Sequence, residues 1–188
     1  MPAPLLPPEA DLTIGFAHAA YQLGQEFGTR SSSARTFEVR SLDELRARVA
    51  EADVLVVSGL WCNELVESAP RLRFIQSISA GTDQFDLSLL TSRGIRLASA
   101  QGANERAVAE HAMALILALV RQLPQARDNQ AKSFWRGMIA DRTRREDELG
   151  GKLLLIVGLG RIGSRLARLA KVFDMRVVGM RWRDRLRS

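Results

Sequence analysis

Short apolar stretches alternate with stretches of helical character along most of this chain. Residues 12–17 and 52–57 are short, largely apolar stretches that read as strands, and residues 72–78 read as another. Between them, residues 18–27 predict a helix, residues 31–33 a serine loop, and residues 36–39 a further strand. Ser41 with Glu44 three positions on makes a capping box that opens the next helix. Residues 63–68 predict a short helix stopped before Pro70, and residues 85–92 another that Gly94 closes. Residues 95–98 complete this unit as its last strand. Strands alternating with helices in this way predict a parallel α/β sheet.

A long helix is expected from Asn104, a favoured N-cap residue, through the apolar stretch 112–120, until Pro124 kinks or ends it. Its nearly continuous apolar surface suits burial on several sides, between two domains or at a dimer contact. Residues 127–151 turn polar and charged apart from Phe134 and Trp135, and predict a surface connection. Residues 152–157 then form an apolar strand that runs directly into Gly158-Leu159-Gly160-Arg161-Ile162-Gly163. Leu166, Leu169, Ala170 and Phe173 follow at helical spacing, and residues 175–180 read as a second strand. A bare GxGxxG carries little weight, but this one sits where strand meets helix within a βαβ unit. There Gly158 permits the tight turn, Gly160 lets a pyrophosphate approach the main chain, and Gly163 lets helix pack on strand. The helix N-terminus adds free N–H groups and partial positive charge. A glycine-rich turn with no ligand is the alternative.

Dinucleotide sites usually place an acidic residue about 20 positions further on, to accept hydrogen bonds from the adenosine ribose. Here Arg181 stands eighteen positions after Gly163. An arginine only donates, so it cannot serve those hydroxyls, but it pairs well with a 2′-phosphate. With Arg183 close by, the site tilts toward NADP, with NAD the alternative.

Composition narrows the class. Apolar residues make up 46% of the chain and charged residues 26%, the balance of an ordinary globular protein. The longest apolar run covers nine residues, where a membrane span needs about 20, so no membrane partner is expected. Residues 1–8 have no basic start and many prolines, unlike a secretion signal. The single cysteine, Cys62, precludes an internal disulfide framework, and a cytoplasmic location is expected. The net charge of +6 is uneven: residues 1–134 hold 13 basic and 15 acidic side chains, residues 135–188 hold 14 and 6. The arginines are scattered over loop, helix and tail with few aromatics between them. A nucleic-acid partner is therefore not expected, and a phosphate-bearing cofactor explains part of the excess.

Several segments fall in a telling order: residues 72–83, Arg93-Gly94-Ile95, residues 104–111, Trp135, Glu148-Leu149-Gly150-Gly151 and the glycine loop. Together they resemble the D-isomer-specific 2-hydroxyacid dehydrogenases, especially the glyoxylate/hydroxypyruvate reductase-like members, over residues 50–181. The resemblance implies a flavodoxin-like substrate domain over residues 1–103. The first part of a Rossmann NAD(P)-binding domain, incomplete, follows over residues 104–188, with the active site in the cleft between the two. It implies that the backbone N–H groups of Ser79, Ala80 and Gly81 hold the substrate carboxylate, where small side chains admit an anion to the main chain. It places Asn104 and residues 108–110 at the start of an interdomain helix near the cofactor. Arg161 and Ile162 fall in the loop covering the pyrophosphate. Asn104 as a plain N-cap explains itself equally well.

The resemblance further implies hydride transfer between the nicotinamide and a small 2-oxo or 2-hydroxy acid, and a homodimer through the region 104–123. The family's catalytic arginine, carboxylate and histidine lie beyond the matching segments. No catalytic residue is therefore expected in this chain, which should be inactive by itself. A non-catalytic dinucleotide-binding or dimerising fragment, or a pseudogene product, is the alternative. An unfinished sheet would also leave an apolar face uncovered. His111 is expected to be packed or hydrogen-bonded, Cys62 a small packed residue, and Asp147 and Glu148 a solvated loop. His18 is too isolated to argue from. No His/Cys cluster has metal-ligand spacing, so no metal is expected.

Overall fold

The computed structural model describes residues 6–181. Arg183 lies outside these, so its proposed part in choosing a cofactor has no structural counterpart here. Two compact units emerge, Met1–Gln101 and Gly102–Ser188.

In the first unit, strands β1 (Thr13–Ala17), β2 (Arg35–Val39), β3 (Val54–Val57), β4 (Phe74–Ser77) and β5 (Arg96–Ala98) form one parallel sheet in the order β2-β1-β3-β4-β5. That is the doubly wound order of flavodoxin-like folds, whose strand direction of winding switches between β1 and β3. Helices α1 (Leu23–Gly28), α2 (Leu42–Arg48) and α3 (Leu87–Ser92), with a 3-10 turn at Asn63–Ser68, supply the crossovers. One sheet face packs Phe37, Leu45, Leu55, Ile75 and Leu90 into the main core, and the other packs Ile14, Phe16 and Val54. Burial of both faces is why the central strands β1 and β3 read as apolar runs, whereas β2 and β4 carry polar residues.

Ser41 caps α2 by accepting from the Glu44 N–H at 3.2 Å. The Glu44 carboxylate reaches back to the Arg40 N–H at 2.8 Å, one residue earlier than the usual box. Helix α1 starts at Leu23, later than the pattern predicts. The His18 Nδ1 accepts from the N–H groups of Ala20 and Tyr21 at 3.0 and 2.7 Å, which holds that stretch as a loop.

A buried carboxylate ties the strand starts together. Asp53, only 2% exposed, accepts from the Thr13 N–H at 3.0 Å and from Arg71 at 2.7 Å. Its own main chain bonds to Thr13 O and receives the Arg73 N–H, so one residue joins β1, β3 and the approach to β4.

The second unit opens with α4 (Glu105–Val120) and α5 (Leu123–Ala131), then runs into β6 (Leu153–Val157), α6 (Arg161–Val172) and β7 (Arg176–Met180). Strands β6 and β7 pair in parallel. Between α4 and α5 the chain bends by 64°, with Gln122 in the left-handed region at φ 51°. Pro124 sits in the first turn of α5, where it lacks no helical hydrogen bond. The stretch expected as a surface connection thus begins as a helix. Met113, Leu149, Ala170 and Met175 form the core of this unit, flanked by Leu117, Leu166 and Leu169.

Helix α4 is less covered than expected. Ala109 and Met113 are buried, while Val108, Leu115 and Leu119 are exposed. Leu153, Leu155, Val157, Val178 and Met180 share one face of the β6–β7 pair and are likewise exposed. No single helix among the described residues is long and apolar enough to cross a membrane.

Candidate functional site

Parallel pairing brings the C-terminal ends of the first unit's strands to one edge, with Ala17 beside Val57 and Val57 beside Ser77. Crevices outside such ends are where open α/β sheets bind ligands. Three of the residues expected at the substrate, Ser79, Ala80 and Gly81, follow β4 there. Ala80 and Gly81 are exposed, and neither of their N–H groups has an acceptor among the described residues. Around Gly81 the nearest side-chain atom to an added Cβ is the carboxylate oxygen Asp83 Oδ2 at 3.5 Å, so the main chain there is sterically open.

Ser79 differs from its neighbours. Its N–H donates to Ser77 Oγ at 3.2 Å, while its carbonyl accepts from Ser77 Oγ and from the Ala100 N–H. The amide is therefore taken, and what Ser79 can still offer a ligand is its hydroxyl. That hydroxyl contacts Ser58 Oγ, which in turn receives Gln84 Nε2 at 3.4 Å. Neither Ser58, Ser77 nor Gln84 stands out in the sequence. The signal that could have found Ser58 is its position directly after β3, at the sheet's switch point.

The glycine loop of the second unit meets its physical requirements one by one. Gly158 has φ +99°, a conformation L side chains rarely adopt. A Cβ on Gly163 would lie 2.3 Å from the Gly158 carbonyl oxygen and 3.0 Å from Ile156 Cγ2. Gly160 faces open space, with nothing within 4 Å of an added Cβ, so no protein contact demands a glycine there. An arriving phosphate would. The N–H groups of Gly158 and Leu159 donate to Met180 O at 3.0 and 2.8 Å, and Ser164 donates to Gly160 O at 2.8 Å. Those of Gly160, Arg161, Ile162 and Gly163 have no acceptor among the described residues, at the positive end of a 12-residue helix. The donors, the charge and the room suit a pyrophosphate.

Residues 20–177 match the family described as D-isomer specific 2-hydroxyacid dehydrogenase, catalytic domain. The chain belongs to that family. It is 38% identical over 140 residues to D-3-phosphoglycerate dehydrogenase of Methanocaldococcus jannaschii, covering 73% of this chain and 26% of that enzyme. Against the glyoxylate reductase of Pyrococcus furiosus the identity is 36% over 141 residues, covering 72% of this chain and 42% of the relative. The crystal structure of Aquifex aeolicus D-lactate dehydrogenase, complexed with NAD and lactic acid, superposes with a TM-score of 0.73 at 26% identity. That match covers 92% of this chain and 52% of the other. The chain thus spans about a quarter of the phosphoglycerate dehydrogenases it matches and about half of the solved dehydrogenase.

The remaining candidates of this 2-hydroxyacid dehydrogenase family member fall as follows. Asn104 occupies the N-cap position of α4, yet its side chain makes no capping hydrogen bond, so capping does not account for it. Arg161 reaches back to Glu105 Oε1 at 3.3 Å, a pairing within the second unit that the sequence does not suggest. Arg181 follows β7 directly and is exposed. His111, expected to be packed or hydrogen-bonded, is exposed on α4. Burial pushes the Cys62 thiol up, with Glu64 adding to the effect, which disfavours a nucleophilic thiolate. Asp147 is held below the usual carboxylate range by its hydrogen bond with Lys152 and by the Glu148 N–H.

Proposed function

We propose that this chain carries the carboxylate-binding loop and the cofactor loop of an NAD(P)-dependent 2-hydroxyacid dehydrogenase acting on a small 2-oxo or 2-hydroxy acid. A substrate domain over residues 1–103 and the first part of a cofactor domain over residues 104–188 fit the break between compact units after Gln101. The single observation that carries the reading is the glycine loop. A Cβ on Gly163 would meet main chain, Gly160 opens onto space, and four N–H groups have no acceptor among the described residues.

Bound there, a nicotinamide dinucleotide supplies or accepts the hydride. The chain's own work is to bind and orient. The amides of Gly160, Arg161, Ile162 and Gly163 hold the pyrophosphate. The Ala80 and Gly81 amides, with the Ser79 hydroxyl, hold the substrate carboxylate and so fix which face of C2 is presented. Asn104, free of a capping duty, is available near the cofactor. Arg181 stands where a 2′-phosphate would be read, which favours NADPH over NADH. The proton that accompanies the hydride is assigned to groups outside residues 6–181.

Val108, Leu115 and Leu119, exposed along α4, together with Leu123 support a homodimer through residues 104–123. The lone cysteine supports a cytoplasmic location. Fluorescence titration with NADPH and NADH tests the core of the proposal. Binding of both, NADPH more tightly, is expected, and Arg181→Ala should remove most of that preference. Failure to bind either dinucleotide at millimolar concentration refutes the reading.

A further inference from the structure

We infer that Gln84 and Ser58 are positioning residues for substrate, forming with Ser79 a directional hydrogen-bond relay that aims the Ser79 hydroxyl proton at the substrate carboxylate. The inference rests on the carboxylate-loop reading proposed above and adds residues to it. Val57 is paired with Ser77 in the sheet, which sets Ser58 beside the start of the loop that follows β4. Ser58 is buried, and its Oγ contacts Ser79 Oγ. A pair of hydroxyls needs one donor and one acceptor, and the second proton must go elsewhere.

In the proposed relay the direction runs from Gln84 through Ser58 to Ser79. Gln84 Nε2 donates to Ser58 Oγ at 3.4 Å. With that lone pair engaged, the Ser58 proton is free to donate to Ser79 Oγ. The Ser79 N–H is committed to Ser77 Oγ at 3.2 Å, and Ser77, with no exposed surface, donates back to the Ser79 carbonyl at 3.2 Å. The Ser77 hydroxyl is thus spent on locking the Ser79 backbone. Run in that direction, the relay leaves the Ser79 hydroxyl proton for a ligand next to the exposed residues Ala80 and Gly81. Gln84 to Ser58 to Ser79 is then a chain of donors ending at the anion site, each link polarised by the one before it. A carboxylate held by two amides and this hydroxyl receives three donors from one short loop.

A double-mutant cycle on the full chain tests this, with oxamate as the probe in the presence of saturating NADPH. Oxamate mimics a 2-oxo acid and cannot be reduced. Gln84→Met keeps the side chain's length and removes its donor, and because Gln84 is exposed the fold tolerates it. Ser58→Ala removes the middle link. Each single variant should weaken oxamate binding about fivefold, the worth of one hydrogen bond. The double variant should be no weaker than Ser58→Ala, because a broken relay has nothing further to lose.

Additive losses, or binding within twofold of the parent in either single variant, overturn the relay and leave the carboxylate loop standing. Absence of oxamate binding by the parent chain with dinucleotide bound overturns the loop reading and the relay together. Amide exchange at β1 and β3, unchanged in both variants, accompanies the supporting outcome. Accelerated exchange there would assign the losses to general loosening and refute the positioning role.

Discussion

Replacing Gly163 with alanine probes the packing on which the cofactor loop depends. The added Cβ meets the Gly158 carbonyl oxygen at 2.3 Å, whereas carbon–oxygen contacts ordinarily begin at about 3.3 Å. Relief requires α6 to withdraw from β6 by about 1 Å. The obstacle is main chain, held by the bond from the Gly158 N–H to Met180 O at 3.0 Å, and cannot rotate aside. Overpacking typically costs 1–3 kcal/mol, here near the upper end, and the better helix propensity of alanine returns at most about 1 kcal/mol. The net expectation is a loss of about 2 kcal/mol, read by urea unfolding followed at the amides of β6 and α6.

Gly160→Ala is the counterpart. Its Cβ enters open space at an extended φ of −86°, so stability should stay within about 0.5 kcal/mol of the parent. NADPH affinity should nonetheless fall at least about tenfold, a loss of about 1.4 kcal/mol, because the space is what the phosphates need. Full stability in Gly163→Ala, or undiminished dinucleotide binding in Gly160→Ala, would refute the division of labour drawn between the two glycines.

Asp53→Ala strips a buried carboxylate from the Thr13 N–H and from Arg71, and should destabilise the first unit by about 2–4 kcal/mol in urea unfolding, with Asp53→Asn costing less. Ser41→Ala removes the cap of α2 and should cost about 1 kcal/mol, seen as faster amide exchange confined to that helix's first turn. Asp86 is held below the usual carboxylate range by the Ser88 hydroxyl and the Leu89 N–H. A depressed folded value means that its stabilisation is complete above the unfolded value of about 4 and is lost as pH falls through the folded one. The urea midpoint should therefore drop on acidification below about pH 4, and Asp86→Asn should flatten that part of the profile. An identical profile in the variant would remove Asp86 from the account.

The strands of the first unit were legible because both sheet faces are buried, which makes Val54–Val57 an unmistakable apolar run. The start of α1 was not, because it turns on a local competition in which the His18 ring satisfies two amides that a helix would otherwise leave open. Helix α5 escaped for another reason: none of its residues is buried, so no apolar periodicity marks it. At the glycine loop, residue type and spacing carried the geometry, since each glycine answers a demand of the main chain. At the substrate loop they did not. The capture of the Ser79 amide by Ser77, and the approach of Ser58 from 21 residues away, depend on strand register rather than on any local signature. Asp53 was invisible for the same reason, its partners being Thr13 and Arg71.

The Leu159 side chain lies where a Cβ on Gly179 would be, at 2.9 Å from both of its methyl carbons. A loop residue and a strand residue twenty positions apart therefore cannot drift independently. Enlarging Gly179 requires the Leu159 side chain to turn aside or to be shortened. Among divergent copies of this sequence, a small residue at one position should accompany freedom at the other. The mutational route that alters the glycine loop's outer edge thus runs through β7.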